Sequence, residues 1–132
     1  MVQKQRILFV DDDPDFVAAT QEVLESNGYE VITASDGASG FAMAVQMKPD
    51  LMLLDVMMNT TTEGFELSRK MKDTPELKDL PIIMMTGIRR AKNLAFGFEP
   101  DESWLPVKTL LEKPVPPARL LAEVAKYIRK PA

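Results

Sequence analysis

The feature that most constrains this chain is an alternation. A short apolar run is followed by a stretch of helical periodicity, and the pair recurs five times. "RILFVD" (6–11), "YEVITA" (29–34), "DLMLLD" (50–55), "PIIMMTG" (81–87) and "VKTLLEK" (107–113) read as strands. The third is apolar without interruption between its two aspartates, the pattern of a central strand in a parallel sheet. A helix is expected over 14–28, with Phe16, Thr20, Val23, Leu24 and Asn27 on one face at spacings of three and four. Asp13 suits its N-cap, Pro14 its first position and Gly28 its stop. Asp36 is expected to cap a second helix through Met47 that turns Ala38, Phe41, Ala42 and Val45 inward. Further helices are expected over 64–73, from about Ile88, and over 117–130, the last burying Leu120, Leu121, Val124, Ala125 and Ile128. Strands and helices in this order predict an α/β fold, a doubly wound parallel sheet of five strands with helices on both faces.

With 132 residues, 45% of them hydrophobic, the chain is long enough to bury one full core. No linker, repeat or low-complexity stretch divides it, so a single domain is expected over 5–130. The chemistry is narrowed by two absences. Without cysteine there is no disulfide, thiolate nucleophile or Cys-type zinc site; without histidine there is no imidazole base or ligand. Carboxylates, hydroxyls, lysine and arginine remain, and that inventory suits a hard cation best. A net charge of −4 argues against direct binding to nucleic acid. No apolar run approaches the roughly 18 residues of a membrane span, so no membrane insertion is expected and a cytoplasmic location is the default.

In an open α/β sheet, ligands gather beyond the carboxyl ends of the strands. Asp11 and Asp12 end the first strand, Asp55 the third, Thr86 the fourth and Lys113 the fifth. Each alone has a plain structural explanation. Paired aspartates before a helix are commonly a solvated cap, and a threonine at a strand end is commonly just a strand end. Parallel strands finish on one edge, however, and that edge would then hold three carboxylates, a hydroxyl and an amine.

The motifs "ILFVDDDP", "PDLMLLDVMM", "IIMMTG" and "LEKPV" together resemble the receiver domain of bacterial two-component response regulators, over essentially the whole chain. The resemblance implies a flavodoxin-like sheet in the order 2-1-3-4-5. It makes Asp55 the phosphoacceptor, served by a phosphohistidine on a sensor histidine kinase or phosphotransfer protein. Asp11 and Asp12 become the acidic pair for Mg2+, joined by Asp55 and the backbone carbonyl of Met57. Lys113 and Thr86 would contact the phosphoryl oxygens, as would backbone at Met57 and Gly87. The Lys113–Pro114 bond is expected to be cis, and Asp13 is left as the helix cap.

Departures from the family pattern bear on output. The loop after Asp55 has Asn59 where a proline is usual. The stretch from Thr86 to Lys113 is longer than usual, and Leu110 occupies the place of the customary switch aromatic. Trp104, the only tryptophan, is then a candidate anchor for a segment that repacks with Thr86 on phosphorylation; a static hydrophobic plug is the alternative. A stand-alone receiver signalling through contacts with an unidentified downstream protein is expected. A receiver cut from a longer regulator, or a binding module independent of phosphorylation, are the other readings; a turnover enzyme fits least.

Overall fold

A computed structural model describes residues 4–55, 63–87 and 107–129. The expectations for Met57 and Asn59, the helix from Ile88 and the segment with Trp104 fall outside these residues. The described chain forms β1 (Arg6–Val10), α1 (Pro14–Ser26), β2 (Glu30–Ala34), α2 (Gly37–Met47) and β3 (Leu51–Asp55). It continues with α3 (Glu63–Lys72), β4 (Ile82–Gly87), β5 (Thr109–Lys113) and α4 (Pro117–Tyr127). All strand pairs are parallel, in the order β2-β1-β3-β4-β5.

Because side chains alternate along a strand, each apolar run supplies both faces of the sheet. Ile7, Phe9, Leu51, Leu53, Ile83 and Met85 pack on one side with Leu24 of α1 and with Leu120 and Val124 of α4. Leu8, Val10, Met52, Leu54, Ile82 and Met84 pack on the other with Ala44 of α2 and with Leu67 and Met71 of α3. Every residue of β3 is buried, as its composition predicts.

The helix boundaries follow local chemistry. Asp13 is the N-cap of α1, accepting from the N–H groups of Asp15 and Phe16, and Pro14 opens the helix. Gly28, just beyond the end, has φ +92°, a conformation that favours a residue without Cβ. Asp36 caps α2 through the Ser39 N–H at 2.7 Å, and this bond holds its carboxyl below the ordinary value of 3.8.

Several residues expected to face inward do not. Asn27 is exposed, since as the C-cap of α1 it turns its side-chain amide back to donate to the Val23 carbonyl at 2.8 Å. Ala38 and Ala42 are exposed, while Gly37, Gly40 and Ala44 form the buried stripe of α2, with Phe41 and Val45 half-buried at its margins. The cause is close approach. A Cβ built on Gly40 would stand 2.9 Å from Cγ2 of Val10, so only small residues fit between this helix and β1. Ala125 is exposed as well; Leu120, Val124 and Ile128, spaced by four, cover the sheet.

Candidate functional site

The order of the sheet places its reversal between β1 and β3, since the chain leaves β1 for β2 and returns to pair β3 on the opposite side. The crevice that such a reversal opens lies beyond the strands' carboxyl ends. Val10 pairs with Leu54, so Asp11 follows one strand as Asp55 ends the other, side by side. Asp55 pairs in turn with Met85, and Gly87 with Lys113, which brings Thr86 and Lys113 to the same edge. The site residues of four strands therefore meet because their registers match.

Burial differentiates the aspartates. Asp11 and Asp55 are 2% and 3% exposed, whereas Asp12 and Asp13 face solvent. Among the described residues, Asp11 is held by three partners. Its backbone N–H donates to the Ala34 carbonyl at 3.0 Å, and its Oδ1 accepts from the Asp13 N–H at 2.9 Å. Its Oδ2 accepts from Lys113 Nζ at 2.8 Å, and the same nitrogen stands 3.6 Å from Asp55 Oδ1. Lys113 is largely buried, and the Lys113–Pro114 bond after it is cis, as expected. The opening run of aspartates thus has divided roles, with the first buried against a lysine, the second exposed at the crevice and the third capping α1.

One carboxylate oxygen from each of Asp11, Asp12 and Asp55 can be chosen so that all lie within 4.8 Å of one another. Oxygens bound about 2.1 Å from a magnesium ion are roughly 3 Å apart when adjacent and 4 Å when opposite, so modest side-chain closure would suit this donor set to it. With three carboxylate oxygens and the rest of an octahedral shell left to other oxygen donors and water, the set fits magnesium chemically. Beside it a cleft of about 490 Å³ is lined by Asp11, Asp12, Pro14, Val17, Thr33, Ala34, Ser35, Ser39 and Met43. A smaller cleft of about 330 Å³, between Val45, Pro49, Leu77 and Leu80, lies at the opposite edge of the sheet, away from these carboxylates.

Thr86 is 2% exposed, and its hydroxyl has no hydrogen-bond partner among the described residues. Leu110, on β5 beside Met84, is half-buried against the core on the α2 and α3 side. One contact was not anticipated. Phe16, expected only as a core residue of α1, lies with its ring centroid 4.3 Å from Lys113 Nζ. The signal available was an aromatic residue in the first turn of the helix that follows the aspartates.

These features define a class: a flavodoxin-like α/β domain with an acidic, lysine-bearing centre at the switch point of its sheet. The sequence matches the family model of the response regulator receiver domain over residues 7–125. The chain belongs to the response regulator receiver family, the signalling modules of two-component systems. It is 36% identical to the response regulator PleD of Caulobacter vibrioides over 124 residues, covering 94% of this chain and 26% of that protein. It is 33% identical to the DNA-binding dual master transcriptional regulator RpaA of Synechocystis over 125 residues, covering 95% of this chain and 49% of RpaA. The chain thus spans between a quarter and a half of these relatives. Among solved structures, a putative response regulator from Chloroflexus aurantiacus superimposes with a TM-score of 0.82 at 28% identity, covering 95% of this chain and 98% of that one.

Proposed function

We propose that Asp55 is the phosphoacceptor of this receiver, taking a phosphoryl group from a phosphohistidine of a sensor kinase or phosphotransfer protein in a magnesium-dependent reaction. The observation that carries the reading is the position of Asp55. It ends the fully buried central strand, its carboxylate grouped with those of Asp11 and Asp12 and its Oδ1 3.6 Å from the Lys113 ammonium.

In the transfer, an Asp55 oxygen attacks phosphorus as the phosphorus–nitrogen bond to the donor imidazole breaks, and the imidazole keeps that electron pair. A carboxylate crowded by two others resists further negative charge. Asp11, Asp12 and Asp55 would hold a magnesium ion, with the Met57 carbonyl assigned to the same shell by the family pattern. When bound, the ion supplies neutralisation of charge on the transferring oxygens. Lys113 would pair with a phosphoryl oxygen as a point charge. The Thr86 hydroxyl, lacking a partner among the described residues, would donate to another, and the backbone at Gly87 is assigned to the phosphoryl group by the same pattern. Contacts with a downstream protein would then report the modified state.

The test is intact-mass measurement after incubation with acetyl phosphate, with and without magnesium. The expected result is a single added phosphoryl group that requires the metal and is absent from Asp55→Asn. Equal labelling of that variant would reject Asp55 as the acceptor.

A further inference from the structure

Among the described residues, the Lys113 ammonium meets Asp11 Oδ2 at 2.8 Å, Asp55 Oδ1 at 3.6 Å, and the face of Phe16 at 4.3 Å from the ring centroid. Phe16 is itself held in place. Its backbone N–H donates to the Asp13 cap at 3.3 Å. Its ring meets Phe9 edge-to-face, with centroids 5.9 Å apart and planes at 77°. Phe9 is fully buried, so the pair anchors the ring to the sheet beneath the site.

Lys113 lies closer to Asp11 than to Asp55, the carboxylate its proposed role serves. To pair with a phosphoryl group on Asp55 it would loosen the shorter bond and shift toward the carboxylate 3.6 Å away. A largely buried ammonium that leaves one carboxylate needs attraction from a group that does not compete as a fixed acceptor. An aromatic face supplies this, because its quadrupole draws a cation over a broad area without a single preferred hydrogen-bond direction. The ring also keeps water from one side of the ammonium, which leaves its charge less screened. An aliphatic side chain of similar size would fill the space without attracting the cation.

We infer that Phe16 is the positioning residue of Lys113, its ring holding the ammonium within reach of both Asp11 and the phosphoryl group on Asp55. This role rests on the phosphoacceptor reading above. It makes Asp13 part of the same device at one remove, because the cap fixes the turn from which the ring projects.

The test combines spectroscopy of the unphosphorylated protein with phosphorylation rates. The Lys113 ε-methylene protons should be shifted upfield by the ring in the native protein, and this shift should vanish in Phe16→Leu. An ordinary resonance position in the native protein would overturn the contact without recourse to any variant. With acetyl phosphate and saturating magnesium, Phe16→Leu should label roughly three- to tenfold more slowly, the range expected from losing a partly desolvated cation–π contact. Phe16→Tyr, which keeps the ring, should restore the rate. In a Lys113→Met background, Phe16→Leu should have no further effect; an equal loss there would mean that Phe16 acts by packing alone, and would overturn the role. A native chain that takes no phosphoryl group rejects the phosphoacceptor reading and this role with it. A labelled native chain beside an equally fast Phe16→Leu rejects the role alone.

Discussion

Thr86 holds a buried hydroxyl, 2% exposed as a residue, whose oxygen has no partner among the described residues. Burying such a group unpaired costs about 1–3 kcal/mol relative to leaving it hydrated. Left unpaired in the resting protein, the hydroxyl would be a net cost, and valine, close to it in shape, would remove the penalty. Thr86→Val should raise the unfolding free energy by about 1 kcal/mol, measured by urea denaturation without metal or phosphodonor. The same variant should lose part of the stabilisation gained on adding beryllofluoride with magnesium, because the hydroxyl proposed to donate to the phosphoryl group is gone. Unchanged or lower resting stability would mean that the hydroxyl is satisfied before phosphorylation. The residue type and its place at a strand end were readable in the sequence. That no described residue pairs with its hydroxyl was not, because this depends on what the neighbouring strands bring within 3 Å, on the order of one hydrogen-bond length.

At the scale of the element, α2 shows how far periodicity reaches. A search for large apolar side chains selects Phe41 and Val45 and fills the stripe with Ala38 and Ala42, whereas the helix buries Gly37, Gly40 and Ala44. Periodicity identifies a face when the helix rests on its larger side chains. It fails when the helix lies so close to the sheet that only glycine and alanine fit beneath it. The sequence does contain the competing pattern, glycine at 37 and 40 and alanine at 44, spaced by three and four. Gly40→Ala puts these effects in opposition. Alanine favours the helix by about 1 kcal/mol over glycine, but its Cβ would stand 2.9 and 3.1 Å from the two methyls of Val10. Val10 is fully buried and stiff at χ1, so it cannot swing aside, and it precedes Asp11 of the site. The clash should win, with a net loss of about 1–3 kcal/mol in chemical denaturation. A more stable variant would show that α2 lifts from β1 at little cost. The caps were more legible: Asp13, Asp36 and Gly28 act through local backbone geometry, which a few adjacent residues determine.

For the whole molecule, the sheet order gathers Asp11, Asp12 and Asp55 at one edge, one oxygen from each within 4.8 Å of the others, with the Lys113 ammonium against Asp11 and Asp55. A divalent cation that binds this cluster in the folded chain stabilises the fold by mass action, about 1.4 kcal/mol at ten times its Kd. Magnesium should therefore raise Tm in a concentration-dependent way. In Asp12→Asn the rise should require more magnesium while Tm without metal stays close to native, since Asp12 is exposed. A native Tm indifferent to magnesium would argue against the cluster as a metal site. The sequence by itself determined the five strands, the four described helices and the polar residues that close β1, β3, β4 and β5, because these follow from local periodicity and from chain direction in a parallel sheet. Only the tertiary structure decided that Lys113 bonds Asp11 more closely than Asp55, that Phe16 stands over its ammonium, and that α2 packs on glycine. Those outcomes depend on distances between elements, set by how whole side chains pack across the core. Periodicity along the chain encodes which way a residue faces, not how near its neighbour comes.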